Sequence, residues 1–169
     1  MSIIALLQMD ATVGDLNGNA NRLSLLAQQA HDEGATIGVS TELAVCGYPP
    51  RDLLLEQDFI QHSLDVALNI RVPIPLLVGT PIPPQDDRSL PTNGVIRCGP
   101  DVASITADKS SRVVAQKQLL PTYDVFDEAR YFAAENRSGL ARSIGGMTLG
   151  VTVCEDAWQS AGKTPSAYE

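Results

Sequence analysis

The chain has 169 residues, 44% of them hydrophobic and 19% charged, enough apolar content to bury the core of one domain and too much for wholesale disorder. Its net charge of -8 argues against a sequence-independent hold on nucleic acid or on an anionic membrane, and no apolar run approaches the roughly 20 residues that span a bilayer. Three widely spaced cysteines, Cys46, Cys98 and Cys154, exclude a full disulfide framework and any Cys-x-x-Cys metal motif, and favour a reducing, cytoplasmic setting.

Met1 to Gln8 carries neither a basic leader nor a small-residue cleavage site and reads as a first strand rather than a secretion signal. The turn-rich stretch from Asp10 to Asn19 follows, with Asn19 or a nearby polar residue placed to cap a helix. In that helix Leu23, Leu26, Ala27 and Ala30 share a face, and Gly34 ends it. Ala35 to Ser40 reads as a second strand with Ile37 and Val39 buried, which completes a β-α-β unit. Glu42 to Asp52 is an ordered loop, and Asp52 is placed to cap a helix through Leu54, Leu55, Phe59 and Ile60 to Leu68. Arg71-Val72-Pro73 stops that helix, and Ile74 to Gly79 is a third strand.

Pro81 to Pro91 reads as a solvent-exposed connection. Short strands are expected over Asn93–Cys98, Val102–Thr106 and Arg112–Gln116, with a turn at Asp108-Lys109-Ser110. Lys117 to Phe132 is dense in aromatic and ionisable side chains and poor in periodicity, a composition that suits a site more than a core. The apolar, β-branched run from Met147 to Val153 predicts a buried strand, ending at Cys154, two carboxylates and Trp158. Gln159 to Glu169 holds no convincing core element.

Glu42, Lys117 and Cys154 each fall at or just past the end of a predicted strand. If those strands run side by side in one direction, the three side chains meet at one edge of the sheet, where α/β proteins place their sites. Such a trio has a coherent chemistry. A nearby ammonium lowers a thiol's pKa, and a carboxylate can take the thiol proton, pass it to a leaving amine and then activate water. Lysine and a backbone N–H after the cysteine can hold a tetrahedral oxyanion. The reaction class is hydrolysis of a carbon–nitrogen bond through a thioester. His31 and His62 lie inside predicted helices, away from strand ends, which disfavours an imidazole-dependent thiol mechanism. No metal-ligand spacing, P-loop or Gly-x-Gly-x-x-Gly cradle occurs.

Glu42, Lys117 in Lys-Gln-Leu-Leu-Pro-Thr-Tyr-Asp-Val-Phe-Asp-Glu-Ala-Arg-Tyr-Phe, and Cys154 in Val-Cys-Glu-Asp-Ala-Trp resemble the Glu-Lys-Cys triad of the nitrilase (carbon–nitrogen hydrolase) superfamily. Within it, the run from Glu42 to Leu54 and the Tyr-Asp-Val-Phe-Asp-Glu-Ala-Arg-Tyr-Phe string are similar to the glutaminase domains of glutamine-dependent NAD synthetases, and the resemblance extends from Gln8 through Trp158. It implies an α-β-β-α sandwich, with Cys154 as nucleophile, Glu42 as general base and acid, and Lys117 as oxyanion stabiliser. By the same resemblance Tyr48, Tyr123, Phe126 and Glu128 shape the glutamine pocket or support the triad. Glu128 would either meet the substrate's α-ammonium or orient Lys117, and the backbone N–H of Glu155 would be a second oxyanion donor. Asp156 and Trp158 read as structural, and Cys46 and Cys98 as buried, inert thiols.

The resemblance further implies glutamine as substrate, a synthetase domain as partner, a homo-oligomer, and ATP and Mg bound only in that synthetase domain, none being needed for the glutaminase chemistry. Two departures stand out: Ser40-Thr41 replaces an aromatic–proline pair before Glu42, and Asp10-Ala11 replaces Asn-Pro. Residues 1–169 then correspond to the N-terminal part of a glutaminase domain, a sandwich incomplete at its C-terminal side. The alternatives are a stand-alone amidase of other specificity, or an inactive truncated domain serving as an interaction module. Expressed alone, the chain is expected to fold poorly and to turn over little glutamine.

Overall fold

The first forty residues form a β-α-β unit in the computed structural model, which describes residues 2–84, 89–100, 109–135 and 142–157. Strand β1 (Ile4–Leu7) leads through helix α1 (Leu16–Asp32) to the parallel strand β2 (Ile37–Ser40). Asp15 caps α1, its carboxylate accepting the backbone N–H of Gly18 at 3.0 Å. Asn19 lies inside the helix and is buried, with its amide bonded to the backbone of Thr12 and to the carbonyl of Val45. The Asp15 carboxylate is one turn upstream and exposed, so it meets the free N–H groups while Asn19 is left to tie α1 to the loop after β2.

Leu16, Ala20, Leu23, Ala27 and Ala30 form the buried face of α1. A second crossover holds a 3-10 turn over Arg51–Leu55 and helix α2 (Gln57–Leu68), and returns the chain to strand β3 (Leu76–Ile82), parallel to β2. Asp52 does not cap α2, because the intervening turn carries it away. Its carboxylate accepts the Tyr131 hydroxyl at 2.8 Å, and Glu56 occupies the cap position without a side-chain bond.

β3 runs three residues past Gly79, through Pro81 to Ile82. Pairing with β2 stops at Leu77, so that side of β3 tolerates a residue without an N–H. Strand β4 (Thr92–Cys98) pairs antiparallel with β3, and β5 (Val113–Gln116) pairs antiparallel with β4 across a bulge at Val95/Ile96. Among the described residues the sheet order is β1-β2-β3-β4-β5. Two reversals make β5 parallel to β2. The strand expected over Val102–Thr106, the turn residue Asp108, the cluster at positions 85–88, Trp158 and the segment from Gln159 onward lie outside the described residues.

One face of the sheet packs on α1 and α2 in a core that includes Leu23, Leu43, Leu64, Leu76, Val78 and Ile96. Each such side chain contributes about 1.5–3 kcal/mol by burial. The other face is covered by an antiparallel hairpin of β6 (Arg142–Ile144) and β7 (Met147–Leu149), with Ile144, Met147, Leu149 and Val151 packed against Ile37, Leu77 and Val114. Described residues therefore form α-β-β layers, a mixed α/β fold in which the fourth, outer helical layer of the expected sandwich is not represented. The run from Met147 to Val153 is not one buried strand. β7 stops at Leu149 with its residues only partly covered, and the chain continues irregularly to a 3-10 turn over Cys154–Ala157.

Candidate active site

Parallel β2 and β5 release Glu42 and Lys117 at the same edge of the sheet, although β3 and β4 lie between them. β4 runs the other way, so its first residues, Thr92 and Asn93, arrive at that edge too. Cys154 reaches the edge from the covering layer, five residues after β7 ends. The expectation of three adjacent strand ends is thus corrected: two come from one sheet and the third from a turn stacked over it.

Local backbone holds each group. The loop carrying Glu42 lies directly on β3: a Cβ added at Gly79 would stand 2.6 Å from the Leu43 nitrogen and 2.7 Å from the Thr41 carbonyl oxygen. Only glycine admits that approach. Leu43, fully buried, has φ +47°, and Cys154 has φ +46°. Left-handed backbone at non-glycine residues costs of order 1 kcal/mol or more and persists where the surroundings enforce it. Here both outliers flank or carry the reactive groups.

Lys117 is fully buried. Its Nζ donates to Glu42 Oε1 at 2.7 Å and to Glu128 Oε1 at 3.0 Å, and stands 2.8 Å from Glu128 Oε2. Burial alone would lower the pKa of the ammonium, but the charge of Glu42 and the hydrogen bonds to Glu128 and Glu42 outweigh it, and the net shift is upward. Lys117 is therefore a permanent cation between two carboxylates. Burial raises the pKa of Glu128, against the opposing pull of Lys117 and Tyr48. Tyr48 donates its hydroxyl to Glu128 Oε1 at 2.8 Å; burial and the neighbouring carboxylates push its phenol up, so it stays a donor.

Glu42 Oε1 accepts a second bond, from Asn93 Nδ2 at 2.7 Å. Cys154 is exposed, and its thiol lies within the electrostatic reach of Glu42, Lys117 and Glu128. Partial burial, then the charge and hydrogen-bonding influence of Glu42, raise the thiol pKa, and the lowering influence of Lys117 does not compensate. Lys117 thus acts in the expected direction but is outweighed, and the resting group is a neutral thiol beside a carboxylate.

Asp156 ties the two halves together. Its carboxylate accepts the N–H groups of Gln118 at 3.1 Å and Leu119 at 2.9 Å, just after Lys117, and of Val153 at 3.3 Å, just before Cys154. Tyr123 donates to Glu155 Oε2 at 2.9 Å, a second strap between the same segments. The structural reading of Asp156 holds, with a specific task attached.

Tyr48, Phe126 and Glu128 also line a cavity of about 180 Å³ that extends to Leu54 and Phe132 and does not include Glu42, Lys117 or Cys154. Phe126 stands between the rings of Tyr48 and Tyr123, at centroid separations of 6.4 and 5.5 Å. Of the alternatives for Glu128, the contact found is with Lys117. Cys46 and Cys98 are buried, with burial pushing their thiols up to about 12 and about 11, while His31 and His62 lie exposed on α1 and α2.

Sequence reasoning missed Asn93 and Gly79. A buried asparagine beginning an apolar strand is a mild signal, since strands disfavour it. Gly79 read as a strand end. Among the described residues no group of three His, Cys, Asp or Glu is arranged for a metal, and no helix is long and apolar enough to cross a membrane.

No family model matches the chain. It is 36% identical over 167 residues to the glutamine-dependent NAD(+) synthetase of Synechocystis sp., covering 94% of this chain and 28% of the relative. Against the synthetase of Xylella fastidiosa it is 38% identical over 159 residues, with 93% and 28% covered. Among solved structures, the ADP complex of the Acinetobacter baumannii glutamine-dependent NAD+ synthetase superposes with a TM-score of 0.72 at 28% identity, covering 92% of this chain and 28% of that one. A nitrilase-superfamily amidase from Nesterenkonia shares the fold at a TM-score of 0.67 and 22% identity, covering 91% of this chain and 56% of its own. The chain thus spans little more than a quarter of the synthetases it matches. Over nearly all of its length the chain is thus similar to the N-terminal portion, about 28%, of glutamine-dependent NAD(+) synthetases, and its layered fold is shared with a nitrilase-superfamily amidase.

Proposed function

We propose that this domain hydrolyses the side-chain amide of glutamine through a Cys154 thioester. The observation that carries the reading is the contact cluster itself: Glu42 and Glu128 both on a fully buried Lys117, with the exposed Cys154 thiol within the electrostatic reach of all three. Glu42 takes the Cys154 proton as sulfur attacks the amide carbon. The oxyanion is held by the Lys117 ammonium and the backbone N–H of Glu155. Collapse breaks the carbon–nitrogen bond, and Glu42 returns its proton to the departing nitrogen, which leaves as ammonia. Glu42 then deprotonates a water that attacks the thioester, and glutamate leaves as the thiol regains its proton. Glu128 and Tyr48 keep Lys117 charged and aimed, and Tyr123 and Phe126 wall the substrate's approach.

The name of the relatives, glutamine-dependent NAD(+) synthetase, supports NAD synthesis as the destination of the ammonia, and ATP- and Mg-dependent amidation of deamido-NAD by a partner synthetase domain is the step that would consume it. The likeness to an amidase supports the fold alone, and makes small amides the proper comparison substrates. In the intact protein, ammonia release from glutamine should exceed release from acetamide, and Cys154→Ala should abolish it, by roughly 10⁴-fold or more. Retained turnover in that variant contradicts the assignment, and preference for a simple amide moves the substrate away from glutamine.

A further inference from the structure

Resting on the reading of Glu42 as the general base, we infer that Asn93 is a positioning residue that divides the labour of the two Glu42 oxygens. Asn93 is fully buried on β4, one of the two strands between those that carry Glu42 and Lys117. Its backbone carbonyl accepts the Lys117 N–H at 2.8 Å, so the strand register that sets Asn93 also sets Lys117. Its side chain shares the sheet face of Val95, the face covered by the β6–β7 hairpin, because Thr92 and Gly94 point the other way.

Asn93 Nδ2 donates to Glu42 Oε1 at 2.7 Å, and Lys117 Nζ donates to the same oxygen at 2.7 Å. Two short donors fill that oxygen. Oε2 is left as the atom that exchanges protons with the thiol, the leaving nitrogen and water. Lys117 alone cannot enforce this division: a three-donor ammonium on a flexible stem can bridge either oxygen. A planar amide fixed on a central strand aims its N–H groups in fixed directions, one of them at Glu42 Oε1.

A second observation separates this task from fold maintenance. Among the described residues Asn93 Oδ1 is buried without a partner. Burying an unbonded acceptor costs stability, so a residue kept there only for the fold would be apolar. The amide is retained at a cost, and the group it serves is the Glu42 carboxylate.

The test compares wild type with Asn93→Leu, a near-isosteric change that removes both donor and orphaned acceptor, using glutamine hydrolysis and thermal melting in the intact protein. Asn93→Leu should melt no lower than wild type while kcat falls about 100-fold and KM stays within about twofold. Structural damage alone would lower the melting temperature along with activity. Asn93→Asp provides a second arm should the leucine variant not fold. Its introduced carboxyl can donate to Glu42 only when protonated, so its activity relative to wild type should rise as pH falls from 8 to 6. An unchanged kcat in Asn93→Leu, a loss confined to KM, or a flat pH ratio in Asn93→Asp overturns the inference. Glu42→Gln and Cys154→Ala run alongside: if they retain turnover, or if wild type hydrolyses no amide, the underlying reading fails as well. If they are inactive while Asn93→Leu is not, only the role of Asn93 fails.

Discussion

At Cys154 the same carboxylate raises the thiol pKa and accepts its proton, so removing that carboxylate should move two measurements in opposite directions. The thiol sits above its ordinary value of 9.0 through burial and then through the charge and hydrogen-bonding influence of Glu42. In Glu42→Gln those two contributions vanish while the lowering influence of Lys117 remains. Alkylation of Cys154 by iodoacetamide at pH 8 should accelerate, because a lower pKa means more thiolate at fixed pH. Amide turnover should fall by about 10²- to 10⁴-fold with loss of the proton carrier. Lys117 gives the corresponding stability measurement. Removing the cation leaves the half-buried Glu42 and buried Glu128 carboxylates uncompensated, and Lys117→Ala should lose about 3–5 kcal/mol in urea denaturation. The stability Lys117 confers in wild type is fully present below its unfolded pKa. It is lost only as pH climbs through the folded value, which lies above the ordinary 10.5. Glu42, Lys117 and Cys154 were legible as residues because each type carries distinctive chemistry. Asn93 was not, because an amide has none of its own and matters only through what it touches.

Between elements, two contacts bring the reactive segments into register. Gly79 lets the Thr41–Leu43 backbone lie against β3, and Gly79→Ala should push Glu42 off Lys117. Its kcat should fall at least tenfold, since displacements near 1 Å at a reacting group cost up to about 100-fold. Asp156 joins the start of the Lys117 loop to the turn that carries Cys154 through three N–H groups. Asp156→Ala should lose roughly 2–3 kcal/mol in stability, and its activity should fall even well below its melting temperature. Amphipathic spacing made both helices and the first three strands readable. It failed at Met147–Val153, where an apolar run looks alike as a buried strand or as half of a hairpin. The discriminating signal was Gly145-Gly146, both at positive φ, the pair a tight hairpin turn between Ile144 and Met147 demands. The cap of α1 fell to Asp15, a polar neighbour of Asn19, whereas Asp52 does not cap α2. Cap preferences describe isolated helix ends, and here tertiary partners claimed the side chains of Asn19 and Asp52.

Across the whole molecule, strand directions explain how residues 75 positions apart in sequence meet within 2.7 Å. β2 and β5 run the same way only because β4 reverses between them, a topology no local pattern encodes. The apolar face covered by the β6–β7 hairpin also continues past it. Ile4 and Leu6 on β1 stand in register with Ile37 and Val39, yet they are 44% and 80% exposed. β1 is an edge strand among the described residues, and apolar edges invite association. The 169-residue chain expressed by itself should therefore self-associate in light scattering, and Leu6→Lys should reduce it; unchanged scattering would place the sticky surface elsewhere. The central claim is chemical, and rapid-quench mass spectrometry of the intact protein mixed with glutamine tests it most directly. A glutamyl adduct confined to the Cys154 peptide, formed and lost at rates compatible with kcat, is the expected result. Steady ammonia release with no adduct on Cys154, or with the adduct on Cys46 or Cys98, would contradict it.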